Sequence, residues 1–165
     1  MAVKTDNKTR TPEAELRSYI DRFDPKTQKL FRSLRTALRK RFPTANELAY
    51  DYSSHIVISY SPTEQAIEAI AAIALRADGV RLYLMHGPQL PDPKKLLMGT
   101  GTQARFVCVE AASQLAHPDV RALIFAAVDL STVPLPSRGK GRLIIRPTAA
   151  SKRPRPKSKK TAGAS

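Results

Sequence analysis

The sequence predicts an α+β fold: a single compact domain in which an antiparallel β-sheet is packed by N- and C-terminal helices. Three observations predict it. Proline-marked helix starts lie near the N-terminus, alternating apolar residues fill the middle of the chain, and another helix start follows at His117-Pro118. A chain of 165 residues suffices for one domain with a proper core and is too short for two of ordinary size.

Two helices are predicted after a polar segment, residues 1–10, that we expect to be disordered. Thr11-Pro12-Glu13 combines an N-cap hydroxyl, a proline at the first helical position and an acid near the positive end of the helix dipole. Asp24-Pro25 repeats this pattern and opens a longer helix, which we expect to end before Phe42-Pro43.

The longer helix has an apolar face and a basic face. Plotted at about 100° per residue, its apolar side chains fall in one arc that belongs in a core: Leu30, Phe31, Leu34, Ala37, Leu38 and Phe42. The opposite arc carries cations, and no acid follows Asp24 along it. This face is directed to water or to a polyanion, so we take it as a candidate polyanion-binding surface: Lys29, Arg32, Arg35, Arg39 and Lys40.

The middle of the chain is predicted to form strands. Apolar residues alternate with polar ones in ELAYDY, HIVISYS, VRLYLMH and ARFVCVE. Ala77-Asp78-Gly79 is a hairpin turn signal, so we expect residues 68–76 to form a strand although they are rich in alanine. A last helix is expected to begin at Pro118 with His117 as its cap, and GRLIIR to add a final edge strand.

The stretch GTGTQARF, residues 99–106, has two interpretations. It lacks the lysine of a P-loop and the third glycine of a dinucleotide-binding turn, and it leads into a strand rather than a helix. We expect Gly99 and Gly101 to reverse the chain at positive φ. The alternative is a loop whose amide groups and basic side chain hold an anion, formed by Gly99, Thr100, Gly101, Thr102 and Arg105.

Polar residues on the predicted strands suggest a pocket. Asp51, between Tyr50 and Tyr52, is the acid expected to line such a pocket with His55 and His86. The three histidines and fourteen dispersed acids make a poor ligand set, so we assign no metal site, no cofactor and no catalytic residue. Tyr50, Asp51 and His86 are candidate pocket residues, in addition to the residues of the glycine loop.

The chain has the features of a cytoplasmic protein. Cys108 is its only cysteine, which excludes an intrachain disulfide, and we expect it to be buried in its strand. No apolar N-terminal segment resembles a secretory signal, and no run approaches the roughly 18 apolar residues needed to span a bilayer. We therefore expect a reducing, cytoplasmic compartment and no membrane partner.

The net charge of +14 is concentrated at the C-terminus, where ten basic residues and no acid lie between Ser131 and the end. We expect residues 11–146 to form the domain and residues 147–165 a disordered basic tail. The tail lacks the glycine of an AT-hook, which leaves two interpretations: a solubilising segment, or nonspecific attraction to nucleic-acid phosphates. The cations concerned are Lys152, Arg153, Arg155, Lys157, Lys159 and Lys160.

Three segments carry a resemblance to a known family: SYIDRFDPKTQKLFRSLRTALRKRFPTANE, YLMHGPQLPDPKKLLMGTGTQARFVCVE and HPDVRALIFAAV. In order and spacing they resemble the YdhG-like family of small bacterial domains of unknown function, over roughly Glu15 to Leu130, with GRLIIR resembling an extension seen in one branch. Relatives of that branch usually carry a lysine where this chain has Thr102-Gln103. The resemblance implies a compact α+β domain with an antiparallel sheet, and one branch is described as frataxin-like iron chaperones.

The predicted function is that of a non-catalytic binding or adaptor protein whose partner is an unidentified small ligand or protein. An iron-chaperone-like role is implied by the resemblance only, and the dispersed acids argue against it because iron prefers clustered oxygen ligands. The alternative is a nucleic-acid-associated protein that uses the basic helix face and the basic tail. A third class, an enzyme with its site in the sheet pocket, has no candidate nucleophile.

Overall fold

Helices pack on one face of a six-stranded sheet in residues 10–152, the part of the chain that the computed structural model describes. This α+β architecture confirms the predicted fold class. In chain order the elements are α1 (Pro12–Ile20), α2 (Pro25–Arg41), β1 (Asn46–Asp51), β2 (His55–Ser61), β3 (Ala71–Arg76), β4 (Gly79–Met85), β5 (Ala104–Val109), α3 (Pro118–Leu130), β6 (Leu143–Arg146) and the short α4 (Ala149–Lys152). Single 3-10 turns occupy Ala66–Glu68, Gly87–Gln89 and Ala112–Ala116.

The three predicted helix starts are confirmed by their caps. The Thr11 hydroxyl oxygen accepts a hydrogen bond from the Ala14 amide at 3.1 Å, and an Asp24 carboxylate oxygen accepts one from the Thr27 amide at 3.3 Å. His117 Nδ1 accepts from the Asp119 amide at 3.2 Å. In each case the cap satisfies an amide that the helix itself leaves unpaired, and a proline occupies the first helical position.

The sheet is mixed, with strand order β5-β4-β3-β2-β1-β6. Strands β1 to β5 are antiparallel as predicted, but β6 lies parallel to β1, so the fully antiparallel prediction is wrong at this edge. The reason is the connection from α3. Residues 131–142 return the chain to the N-terminal end of β1, so β6 starts beside the start of β1 and runs in the same direction. Leu143 then pairs with Glu47 and Arg146 with Tyr50.

The core lies between the helices and one face of the sheet. Ile58, Ile73 and Leu82 form a cross-strand row and are fully buried. The predicted apolar arc of α2 packs onto this face, with Phe31, Leu34 and Leu38 also fully buried. The removal of these apolar side chains from water is the main contribution to the stability of the domain.

The predicted hairpin between β3 and β4 is confirmed. Arg76 pairs with Gly79 across a two-residue turn, and Gly79 has φ +134°. The strand expected over residues 68–76 begins only at Ala71, because residues 66–68 form a 3-10 turn that closes through the Ala69 amide.

Cys108 is exposed, so the prediction that it is buried is wrong. Its neighbours in β5, Val107 and Val109, point to the helix-covered face and are buried there. Cys108 lies on the opposite face of the same strand, since successive residues of a strand alternate.

Ordered structure continues into the segment expected to be a disordered tail. Thr148 is buried, its hydroxyl donates to the Asp51 carbonyl oxygen at 2.5 Å, and α4 follows. Residues 147–152 therefore belong to the folded part of the chain. Arg153, Arg155, Lys157, Lys159 and Lys160 lie outside the described residues, as does the N-terminal segment 1–9. No helix between residues 10 and 152 is long and apolar enough to span a bilayer.

Candidate polyanion-binding site

Acids from α1 and β1 meet the basic face of α2. The guanidinium of Arg35 donates two hydrogen bonds to Glu47 at 2.8 Å and two to Glu13 at 3.0 and 2.8 Å. Only 13% of the Arg35 side chain is exposed, and only 5% of that of Glu47. Arg35 is therefore a structural residue, although the sequence places it in the predicted polyanion-binding surface.

Electrostatics and burial compete at this network. Burial opposes the charge of Arg35, but hydrogen bonds to Glu47 and Glu13 outweigh it and raise the pKa of the guanidinium. The hydrogen bond from Arg35 also lowers the pKa of the Glu13 carboxyl. The buried Tyr60 hydroxyl donates to Glu47 at 2.9 Å. Burial and the negative charge of Glu47 raise the pKa of the Tyr60 hydroxyl well above its ordinary value. Both oxygens of Glu47 are thus engaged within the fold.

Arg32 and Arg39 are only partly engaged. Arg32 makes an exposed ion pair with Asp21 at 3.3 Å and a hydrogen bond to Gln28. Arg39 lies 3.7 Å from both Glu13 and Glu47, and 46% of its side chain is exposed. An exposed pair such as that of Arg32 with Asp21 contributes little to stability, and the more distant contacts of Arg39 leave much of its side chain open to solvent.

Cations line a cleft of about 500 Å³ between the last turns of α2 and residues 139–141. Arg39, Lys40 and Lys140 contribute positive charge, and Glu47 is the only acid in its lining. Lys40 and Lys140 are exposed and form no ion pair with any residue in the range 10–152. Because Glu47 is already neutralised by Arg35, this surface, which we call the basic cleft, attracts anions.

Lys29 does not join the basic cleft. It lies eleven residues before Lys40 on α2, a distance of about 16 Å along the helix axis. There it borders a larger cleft of about 970 Å³ whose lining also includes Lys26, Asp78 and Glu110. The mixed charges of that cleft do not favour a polyanion.

Lys140 lines the basic cleft although it was not among the predicted polyanion-binding residues. The signal was the string RGKGR, residues 138–142, in which glycines flank a cation and let a loop approach the domain. The Gly141 amide donates to the Pro43 carbonyl oxygen at 2.9 Å, which holds Lys140 beside the end of α2.

The glycine loop reverses the chain, as predicted. Met98 and Phe106 exchange two backbone hydrogen bonds, of 2.7 and 3.1 Å, so the chain reverses direction between these two residues before it continues along β5. Gly99 has φ +99°, but Gly101 is not at positive φ, and that part of the prediction is wrong. Glycine is needed at Gly101 because a Cβ atom there would lie 2.6 Å from the Ala104 carbonyl oxygen.

The predicted anion loop and pocket are only partly assembled. Arg105 Nε donates to the Gly101 carbonyl oxygen at 2.8 Å, so the one cation of the loop bonds the loop itself, while Thr100 and Thr102 are exposed. The turn after His86 contacts the loop through a hydrogen bond from Gly87 to Gln103. Tyr50 and Asp51 do not approach it: β1 is three strands away from β4, and its Asp51 end aligns with the start of β4.

Asp51 and His55 both contact neighbouring side chains of the fold. Asp51 is paired with Arg22 at 2.7 Å. His55 stacks on Tyr52 with 5.1 Å between ring centroids, and burial, with the nearby charge of Arg76, lowers its pKa. His55 and His86 lie at opposite ends of the sheet. Within residues 10–152, no three side chains of the His, Cys, Asp and Glu types cluster as they would to hold a metal ion.

No protein-family model, curated protein or solved structure matches this chain. The resemblance to the YdhG-like family therefore stays a prediction.

Proposed function

We propose that this protein is a non-catalytic binding protein whose ligand is a polyanion, with nucleic acid as the polyanion to test. The observation that carries the proposal is the basic cleft. It presents Arg39, Lys40 and Lys140 on a concave surface. The single acid in its lining, Glu47, is neutralised by its hydrogen bonds from Arg35. Repeating phosphates suit such a surface because each neutralised phosphate releases a condensed counterion.

The C-terminal segment adds a second source of positive charge. The Thr148 hydroxyl donates a hydrogen bond to the Asp51 carbonyl oxygen at one end of β1. Glu47 and the basic cleft lie near the other end of the same strand. Asp51 is four residue steps from Glu47 along the strand, a distance of about 13 Å. The sequence continues past Lys152 with five further cations, and we propose that they neutralise additional phosphates of the same polymer: Arg153, Arg155, Lys157, Lys159 and Lys160.

The buried ionisable groups support binding rather than catalysis. Glu47, Asp51 and Arg35 are each held by oppositely charged partners in the fold. A catalytic acid or base needs to face a substrate, whereas Glu47 faces Arg35 and Asp51 faces Arg22. The iron-chaperone-like role remains an expectation from the resemblance and is not part of this proposal.

The test is a salt titration of duplex DNA binding with charge-reversed cleft residues. Lys40→Glu combined with Lys140→Glu should weaken binding at least about tenfold and flatten the log–log salt dependence by about 2, because two phosphate contacts are lost. Fluorescence anisotropy of a labelled duplex measures both quantities.

A matched control carries the same change in net charge elsewhere. Lys26→Glu combined with Lys95→Glu alters two exposed lysines outside the basic cleft. If both double variants weaken binding equally, the cleft has no special role. If the unaltered protein does not bind duplex DNA at about 50 mM salt, nucleic acid is not its ligand.

A further inference from the structure

Two arginines flank an exposed aromatic ring between α2 and α3. The guanidinium carbon of Arg41 lies 4.4 Å from the centroid of the Phe125 ring, and that of Arg121 lies 5.9 Å from it. Half of Phe125 is exposed, whereas Leu123 and Ile124 on the same helix are buried against the core. The ring and the two cations form one continuous patch.

Neither arginine has a carboxylate partner among the described residues, in contrast to Arg32, Arg35 and Arg39. The Nε atom of Arg41 is buried and has no hydrogen-bond partner within residues 10–152. Burial and the positive charge of Arg121 both lower the pKa of Arg41. A buried donor without an acceptor is costly, and two uncompensated like charges add to that cost.

A bound anion would remove both costs. Its oxygens would accept from Arg41 Nε, and its charge would compensate the repulsion between Arg41 and Arg121. A guanidinium presents its donors in a planar fork that matches a phosphate group. The guanidinium of Arg41 already lies over the ring at 4.4 Å, so a planar base would stack on the exposed part of the ring that Arg41 leaves free. Every nucleobase can stack on an aromatic side chain in this way.

We propose that Arg41, Arg121 and Phe125 bind a nucleotide of single-stranded nucleic acid, the two guanidinium groups holding a phosphate and the ring stacking a base. This inference rests on the proposed function and names a second contact for the same class of ligand. The patch is separate from the basic cleft, since none of its three residues lines that cleft. An acidic peptide would supply carboxylates but no planar base, so the exposed ring favours a nucleotide.

The test compares two labelled ligands of equal length and charge: a thymidine oligonucleotide of about twelve residues and an abasic phosphodiester. Phe125→Leu keeps an apolar side chain but removes the ring, so it should weaken oligonucleotide binding roughly 5- to 150-fold and leave abasic binding unchanged. Arg121→Gln should weaken both ligands and flatten the salt slope by about 0.7, the value for one single-strand phosphate. Lys95→Gln, the matched loss of one exposed cation away from the patch, should change neither.

The outcomes separate this inference from the proposed function. If the full chain binds duplex DNA through the basic cleft while Phe125→Leu and Arg121→Gln bind like Lys95→Gln, the nucleotide site is wrong and the proposed function stands. If the full chain binds no nucleic acid, both are wrong. If polyglutamate of the same charge displaces the oligonucleotide equally well from the unaltered protein and from Phe125→Leu, the patch recognises acidic protein instead. Thermal melting of each variant establishes that it is folded.

Discussion

Arg35 joins three elements of the fold. It lies on α2, and it binds Glu13 of α1 and Glu47 of β1 with four hydrogen bonds. Removing one partner from a buried ion pair is far more costly than forming the pair is favourable, because the remaining charge is left without compensation. Glu47 would then retain the Tyr60 hydroxyl and the more distant Arg39.

Arg35→Met should lower the free energy of unfolding by about 3–5 kcal/mol, the usual cost of breaking a buried pair from one side. Urea denaturation followed by circular dichroism measures it. Arg32→Met is the control: its pair with Asp21 is exposed, so the loss should stay within about 1 kcal/mol. Equal losses for the two variants would contradict the structural role of Arg35.

At the scale of an element, the hairpin between Met98 and Phe106 depends on glycine for two different reasons. Gly99 needs a positive φ, whereas Gly101 needs space beside the Ala104 carbonyl oxygen. The loop is therefore held by backbone geometry, and Arg105 adds a hydrogen bond across it.

Gly101→Val should lower the free energy of unfolding by about 1–3 kcal/mol, because its Cβ would overlap backbone atoms that cannot move without opening the turn. Thermal melting against Thr102→Val, an exposed neighbour, isolates the effect of crowding. An unchanged melting temperature for Gly101→Val would show that the turn adapts freely.

Local signals were sufficient to predict most elements. The caps at Thr11 and Asp24 and the turn at Ala77-Asp78-Gly79 depend on neighbours within four residues, and the alternation in β2 predicted its buried face. The same reasoning failed where partners are distant in sequence. Glu47 meets Arg35 across twelve residues, and β6 meets β1 from the far end of the chain. The exposure of Cys108 likewise depends on which face of the sheet the helices cover.

The basic helix face illustrates the same limit for the candidate site. An arc of five cations without an acid predicts a polyanion surface, yet three of them meet acids from α1, β1 or the segment after α1. Reversing Arg32, Arg35 and Arg39 together would therefore damage the fold as well as any binding. Lys40 and Lys140 form a better test because no acid of the described chain engages them.

At the scale of the whole molecule, the basic cleft and the C-terminal segment are two separate concentrations of positive charge. Under the proposed function, the basic cleft near one end of β1 and the segment that follows Thr148 at the other end contact phosphates of one polymer. Binding of this kind should show little sequence preference and a steep dependence on salt, since it depends on phosphates rather than base edges.

The most direct test of this account is a salt titration of duplex DNA binding by the full chain and by a chain truncated after Lys152. The truncation keeps Thr148 and α4, so we expect the fold to be preserved, and it removes Arg153, Arg155, Lys157, Lys159 and Lys160. We predict that the log–log slope flattens by about 4.5, or about 0.9 for each of five phosphate contacts, and that the remaining binding is lost when Lys40→Glu and Lys140→Glu are added. An unchanged slope on truncation, or residual binding that does not respond to the cleft residues, would contradict the account.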